Sequence, residues 1–239
     1  EDPRWRSLVA RVGSVPGELP PMSLALTSWA LATTRDRDRP TLDALATALL
    51  ARRPECKPHD LSGMAWAFAA LEFVDEAFLG PVALEAAARA HEFLPQDLSL
   101  VVWAFARVLV CSEPLFAAVA VAAMERHQEF VGQNLANTMW AFGQVVHLDE
   151  PLFACLTSMC ISNLSTLGPV EVATALWACA SVSYVCFELF ADAVQRVRQL
   201  PGQLESQQLC SVAWSFARVA ARNAQLFAFV SAEVVGRAL

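Results

Sequence analysis

Enzyme signatures, paired cysteines and metal-ligand patterns are all missing from this chain of 239 residues. No G-x-S-x-G elbow, P-loop, H-E-x-x-H or G-x-G-x-x-G motif occurs, and Ser, His and acidic residues form no recurring triad-like arrangement. The four histidines, His59, His91, His127 and His147, show no metal-ligand spacing. The sequence therefore predicts a protein that is not an enzyme and that uses no catalytic residue, metal, cofactor or small-molecule substrate.

Glycine and tyrosine are also scarce, with nine Gly and one Tyr, whereas 56% of the residues are hydrophobic. This composition favours packed helices over a sheet protein. The uncharged stretch at residues 151–170 contains Ser, Thr and Asn, and a membrane-spanning helix needs about 20 predominantly apolar residues. No membrane insertion is therefore predicted. The seven Cys occur singly, without a C-x-x-C pair, which indicates reduced thiols in an intracellular compartment.

Tryptophan is the residue that recurs. Six tryptophans follow one another at intervals of 37 residues without an insertion. Self-similarity at a fixed period between about 20 and 50 residues is the signature of a repeat protein whose units stack on their neighbours. The six are Trp29, Trp66, Trp103, Trp140, Trp177 and Trp214.

Each repeat is predicted to begin with a helix, called helix A, that starts eight residues before its Trp. Proline stands there in four repeats, for example at Pro58, and is favoured in the first turn of a helix. Acids or amides two residues later, such as Asp60, fit the third helical position, where they cap the helix or complement its dipole. Apolar residues five before and two after the Trp give a core stripe, and helix A is expected to end five or six residues after the Trp.

A second helix, helix B, is predicted to start about eleven residues after each Trp, where Pro40, Pro114 and Pro151 stand. Residues 1–19 align with this second helix, so they are interpreted as helix B of a truncated preceding repeat. Residues 20–239 are interpreted as six tandem helix-turn-helix repeats. The predicted fold is all-α, a right-handed α-solenoid of helical hairpins with a 37-residue repeat, and it is expected to be a piece of a longer array.

An open strip on helix A is expected to carry any binding function. The apolar arc leaves uncovered the positions three before, one after and four after the Trp. The middle position is Ala or Ser and would form a flat floor, while the outer two vary between repeats. Readers of one RNA base per repeat are built in this way, from two or three side chains per repeat. The predicted RNA-binding residues are Arg107, Asn134, Asn137, Gln144, Thr174, Ser181, Ser211 and Arg218.

Structural alternatives exist for these residues. Exposed helix positions are commonly polar without binding anything, and Asn134, Asp97 and Glu171 lie where helix capping is expected. The repeated Trp could serve as a platform for stacked bases, but packing between repeats is the favoured interpretation because Trp is usually buried.

The sequence resembles helical-hairpin repeats of the octotricopeptide and heptatricopeptide type. The strings that carry the resemblance run from Pro95 to Ala106 and from Asn134 to Gly143. Similar repeats precede RAP domains and occur in RNA-editing substrate-binding proteins. The resemblance covers nearly the whole chain and implies an α-solenoid acting on single-stranded RNA in a mitochondrion or chloroplast, in processing, stability, editing or translation.

Two function classes follow. The first is an RNA-binding protein of organellar RNA metabolism that reads single-stranded RNA through helix A. The second is a protein-interaction scaffold, such as a subunit of an organellar ribonucleoprotein or ribosome, that uses the same surface for other protein subunits. The formal net charge of −7 counts against a surface dominated by phosphate contacts. The resemblance favours RNA.

Overall fold

The computed structural model describes residues 3–221 and 223–237, and all regular structure in those residues is helical. Thirteen α-helices and four short 3-10 turns occur there, with no strand. The even-numbered helices each carry one of the repeated tryptophans: α2 (Pro21–Thr34), α4 (Pro58–Ala70), α6 (Pro95–Arg107), α8 (Gly132–Gln144), α10 (Pro169–Ser181) and α12 (Ser206–Arg218). The odd-numbered helices are α1 (Pro3–Ser14), α3 (Arg39–Ala51), α5 (Glu76–Ala88), α7 (Glu113–Glu125), α9 (Glu150–Ser162), α11 (Phe187–Arg198) and α13 (Ala224–Arg237). Within the described ranges, none of these helices combines the length and the apolar character needed to cross a membrane.

The chain divides within α7 into two compact units, the first ending at Ala122 and the second beginning at Ala123. In the first unit, α2, α4 and α6 pack in sequence order, and so do α1, α3 and α5. In the second unit, α8, α10 and α12 pack in sequence order, and so do α9, α11 and α13. Each unit therefore brings its Trp-bearing helices together, and these helices are called A helices below.

The predicted starts of the A helices are confirmed. Each begins eight residues before its Trp, with proline in the first turn of four of the six. Two of the expected caps form: the Asp60 carboxylate accepts a hydrogen bond from the Lys57 N–H at 2.9 Å, and Gln208 Oε1 accepts one from the Glu205 N–H at 2.8 Å. These side chains satisfy amide donors that the helix itself leaves unpaired.

The A helices end earlier than predicted, four residues after the Trp in all but α2. The residue six after the Trp adopts a left-handed conformation in every repeat, with φ between 54° and 59°. The next residue donates its N–H to the carbonyl five positions before its own; for example, the His147 N–H donates to the Phe142 carbonyl at 2.9 Å. This is the hydrogen bond of a Schellman ending, which stops a helix.

Helix B starts one residue before the predicted position, so proline takes the second helical place. Aspartates form caps: Asp38 accepts a hydrogen bond from the Thr41 N–H, and Asp149 accepts one from the Leu152 N–H. A capping side chain lies just outside the helix and accepts a hydrogen bond from an N–H of the first turn, so it sets the residue at which the helix begins.

The predicted core stripe of helix A is confirmed. The residues five before and two after the Trp are buried in all six repeats, among them Leu61, Phe68 and Cys179. Gly143 belongs to a column of small residues three after the Trp. A Cβ atom at Gly143 would lie 2.9 Å from the Ala178 Cα. The small residue at this place therefore allows α8 and α10 to approach closely.

Arginine side chains close individual helical hairpins. The Arg52 guanidinium, just after α3, donates to the Leu19 carbonyl, which precedes α2. Arg89 donates in the same way to the Cys56 carbonyl at 3.0 Å. Each arginine also holds a glutamate three residues later, and the hydrogen bond from Arg89 lowers the pKa of the Glu92 carboxyl below its ordinary value. Each such arginine thus joins the two ends of its hairpin.

Candidate nucleic-acid interface

The open strip on the A helices differs in one column from the predicted strip. In α8 and α10 the positions three before and four after the Trp are half-buried, and they hold Asn137, Gln144, Thr174 and Ser181. The position one after the Trp is buried in five of the six repeats, and Ala178 there has no exposed surface. The expected flat floor is therefore wrong, because this alanine column packs inside the structure.

The Trp side chain itself occupies the open strip. Trp140 and Trp177 are half-buried and lie on consecutive A helices, with ring centroids 6.4 Å apart and an interplanar angle of 25°. Such stacked aromatic pairs contribute about 0.5–1.5 kcal/mol beyond the area they bury. The two indoles thus pack between repeats, as predicted, and also keep part of each ring on the surface, which the sequence did not lead us to expect.

A cavity of about 360 Å³ in the second unit brings this Trp pair together with two of the predicted binding residues. Thr174 and Ser211 line it beside Trp140 and Trp177. No charged residue contributes to its lining, which is completed by Val170, Ala173, Gln207 and Gln208. The arrangement offers aromatic faces, hydroxyls and amides to an uncharged planar group.

Gln207 is a cavity residue that the sequence interpretation missed. It lies seven residues before Trp214, in a column left out of the predicted strip. A helix with about 3.6 residues per turn places residues separated by seven on the same face. This period was the sequence signal that could have identified it.

The remaining predicted binding residues do not line this cavity. Asn134, Asn137, Gln144 and Ser181 are half-buried on α8 and α10. The two predicted arginines are both exposed at the ends of A helices, Arg107 on α6 in the first unit and Arg218 on α12 in the second unit.

The side chain of Asp97 was expected to cap its own helix, but it contacts the preceding A helix instead. Asp97 is buried, and its Oδ1 accepts a hydrogen bond from Ser62 Oγ at 2.9 Å and lies 3.3 Å from His59 Nδ1. Both partners belong to the preceding A helix. The buried carboxylate is therefore satisfied between α4 and α6, since an unpaired buried charge would be costly.

In the first unit, the open strip is apolar on its first A helix, α2. On α2 the positions seven before, three before and at the Trp are Met22, Leu26 and Trp29, with exposed fractions of 61%, 58% and 53%. At the first two of these positions α8 carries amides, Gln133 and Asn137. The helices α2 and α8 thus present different chemistry from equivalent places.

The buried cysteines are poor nucleophiles. Cys56, Cys160 and Cys179 are buried, and burial raises the pKa of the Cys56 thiol to about 11 and that of Cys160 to about 12. Burial raises the pKa of Cys179 as well. Thiolate is the reactive form, so these shifts reduce the reactivity of the three thiols at neutral pH.

Comparison with known families adds to this geometry. The family of the RNA-editing substrate-binding complex 6 protein matches residues 7–237, nearly the whole chain. The chain belongs to this family. No curated protein matches it. Membership identifies an RNA-related helical protein of an editing machinery that is organellar in type, as the sequence resemblance to editing substrate-binding proteins implied.

Proposed function

We propose that this protein binds single-stranded RNA through the A helices of its second unit, as a non-enzymatic component of an RNA-editing machinery in a mitochondrion or chloroplast. Single-stranded RNA is recognised by aromatic stacking and by hydrogen bonds to base edges. Membership of an editing substrate-binding family supports an RNA ligand. The proposal includes a right-handed solenoid of the octotricopeptide or heptatricopeptide type, in which successive A helices contact successive nucleotides.

The observation that carries this proposal is the cavity of Trp140, Trp177, Thr174 and Ser211. Partly exposed indoles provide stacking surface, which contributes about 1–3 kcal/mol per base. The hydroxyls of Thr174 and Ser211 can each donate or accept a hydrogen bond, so they can read a base edge. An uncharged lining suits a base better than a phosphate.

Phosphate contacts come from outside the cavity in this proposal. Arg218 of the second unit is exposed, and it forms no ion pair within residues 3–221 and 223–237. A guanidinium can bind phosphate oxygens in a bidentate manner. With so few cations on the A helices, affinity depends mainly on stacking and hydrogen bonding.

A second function, protein interaction, is favoured by the first unit. The exposed stripe of Met22, Leu26 and Trp29 resembles the apolar core of a protein interface more than an RNA surface. A subunit of a ribonucleoprotein can use both functions. In that case the first unit contacts protein, and the second unit contacts RNA.

The test is a selection of bound sequences from a random single-stranded RNA pool, made with the unaltered chain and with Thr174→Val plus Ser211→Ala. We expect the double variant to lose preference at one nucleotide and about fivefold in affinity, the equivalent of one hydrogen bond of about 1 kcal/mol. Asn137→Ala plus Gln144→Ala should change the base preference at a neighbouring nucleotide position. The melting temperature should stay nearly constant, since all four side chains are half-buried.

Thr47→Val, at an exposed position of α3, is the matched control and should change neither preference nor affinity. If the two cavity substitutions leave the selected sequences and the affinity unchanged, the proposed interface is wrong. If they lower the melting temperature by many degrees, Thr174 and Ser211 are structural residues.

A further inference from the structure

A second cavity of the second unit lies beside the end of α9 and the starts of α8 and α10, with a volume of about 480 Å³. Its polar lining includes His127, Ser162, Asn163, Thr166 and Glu171. None of these residues lines the Trp140–Trp177 cavity. The site is separate from the proposed RNA interface, and the inference drawn from it does not depend on that interface.

Three other hairpins hold an arginine at the place that Asn163 occupies. Arg52, Arg89, Arg126 and Asn163 each follow the Trp of their own hairpin by 23 residues. Arg52 and Arg89 each donate a hydrogen bond to the carbonyl that lies 33 residues earlier in the chain. The corresponding carbonyl of the fourth hairpin belongs to Phe130, and Phe130 lines the cavity.

Asn163 does not replace the arginine. Its Nδ2 donates to the Met159 carbonyl at 2.9 Å, one turn back in its own helix, and no hydrogen bond to the Phe130 carbonyl occurs within the described ranges. The glutamate that accompanies each arginine is also absent, since Thr166 stands at its place. The fifth hairpin restores the contact differently, because the Arg196 guanidinium donates to the Leu167 carbonyl at 2.8 Å.

Two acceptors of residues that line the cavity have no donor within the described ranges, namely the Phe130 carbonyl and the Glu171 carboxylate. The hydroxyl of Ser162 donates to the Ser158 carbonyl, and that of Thr166 donates to the Asn163 carbonyl, so both donors are used inside α9 and its end. The Glu171 carboxylate is half-buried and has no hydrogen bond or ion pair within the part of the chain that the structure describes. A cavity with a carboxylate and a main-chain acceptor selects a cationic donor.

We propose that this cavity binds an arginine side chain of a partner protein. The guanidinium would donate to the Phe130 carbonyl, as Arg52 and Arg89 do to theirs, and to the Glu171 carboxylate. Arginine fits better than lysine, because its planar fork reaches two acceptors at fixed angles. The negative charge of Glu171 disfavours the phosphates of RNA at this place.

The test follows methyl signals of Leu135, Met159 and Leu167 by NMR while the chain is titrated with N-acetyl-arginine amide. We expect saturable shifts at these methyls. N-acetyl-citrulline amide has the same shape without the charge and should bind at least about tenfold more weakly, since charged hydrogen bonds are about twice as strong as neutral ones. Equal binding of the two amides, or no shift with either, would overturn the proposal. So would displacement of the arginine amide by an oligouridine, which would assign the cavity to RNA.

A graft supplies the matched control. Asn163→Arg plus Thr166→Glu rebuilds the pair found at Arg52 and Arg89, so it should raise the melting temperature and abolish the shifts. Glu171→Gln provides a second variant that keeps the shape of the site, and it should weaken binding about tenfold. In the native assembly, a photocrosslinker at the exposed Gln128 should capture a partner peptide that contains arginine, and the graft should remove that crosslink. Shifts or crosslinks that survive the graft contradict the proposal.

Discussion

At the scale of single residues, the left-handed positions that end the A helices are unusual because none of the six is glycine. They are Arg35, Glu72, Leu109, Val146, Ser183 and Ala220. A left-handed conformation costs a residue with a Cβ atom about 1–2 kcal/mol, and a β-branched side chain is the least suited to it. The packing of each hairpin therefore holds these residues against their own preference.

Val146→Gly tests this strain. Val146 has φ of 54° and an exposed fraction of 67%, so its side chain contributes little packing that the substitution could remove. We expect the free energy of unfolding to rise by about 1 kcal/mol in a urea titration. The neighbouring Val145 has φ of −91°, and Val145→Gly should instead destabilise the protein. A loss of stability in the Val146 variant would show that the left-handed residue is not strained.

These residues also show what the sequence could and could not predict. The helix starts were predictable because Pro58 and Asp60 carry the chemistry of a first helical turn. The ends of these helices were not predictable from the sequence. Glycine is the usual sequence signal for a left-handed ending, whereas a β-branched residue such as Val146 argues against one. Here the tertiary structure overrides a local preference.

At the scale of helices, close approach depends on which glycine is involved. A Cβ atom at Gly143 would meet the Ala178 Cα at 2.9 Å, whereas a Cβ atom at Gly63 would find no neighbour within 4 Å. Both glycines lie inside A helices. They therefore form a matched pair for the same substitution.

We expect Gly143→Ala to lower the free energy of unfolding by about 1–3 kcal/mol, because α8 and α10 must move apart. Gly63→Ala should raise it by about 0.5–1 kcal/mol, because alanine is the better helix former and nothing obstructs it. Thermal or urea unfolding measures both values. A Gly143 variant as stable as the Gly63 variant would contradict the close packing of these two helices.

The same helices mark the limit of the site prediction. A helical wheel identified Thr174 and Ser211 as surface positions, and both line the Trp cavity. It could not show that Trp177 would keep part of its ring exposed, because a wheel gives the direction of a side chain but not how far a neighbouring helix covers it. It also placed Ala178 in the open strip. Alanine occurs both on helix surfaces and in close helix–helix contacts, so the residue type alone does not show which of the two applies.

At the scale of the whole molecule, the net charge of −7 limits how RNA can be held. In the proposed interface on the second unit, Arg218 is the predicted arginine that contacts phosphate. Each phosphate contact on a single strand changes the logarithm of affinity by about −0.7 per tenfold salt, so one contact gives a slope of about −0.7. Strongly basic RNA binders show much steeper slopes.

Measuring RNA affinity at several salt concentrations tests this expectation. Arg218→Ala should reduce the slope by about 0.7 while leaving base preference unchanged. Arg198→Ala, an exposed substitution on α11 outside the A helices, serves as the control and should leave the slope unaltered. A slope several times steeper than about −0.7 would mean that RNA follows a different, more basic path over the molecule.

The two facing indoles of Trp140 and Trp177, with centroids 6.4 Å apart, also provide a spectroscopic signal for the second unit. Aromatic chromophores at this separation couple their electronic transitions and give a paired band of opposite signs in circular dichroism. Either Trp140→Phe or Trp177→Phe should remove the contribution of this pair. The band therefore offers an intrinsic optical report on whether α10 remains packed against α8.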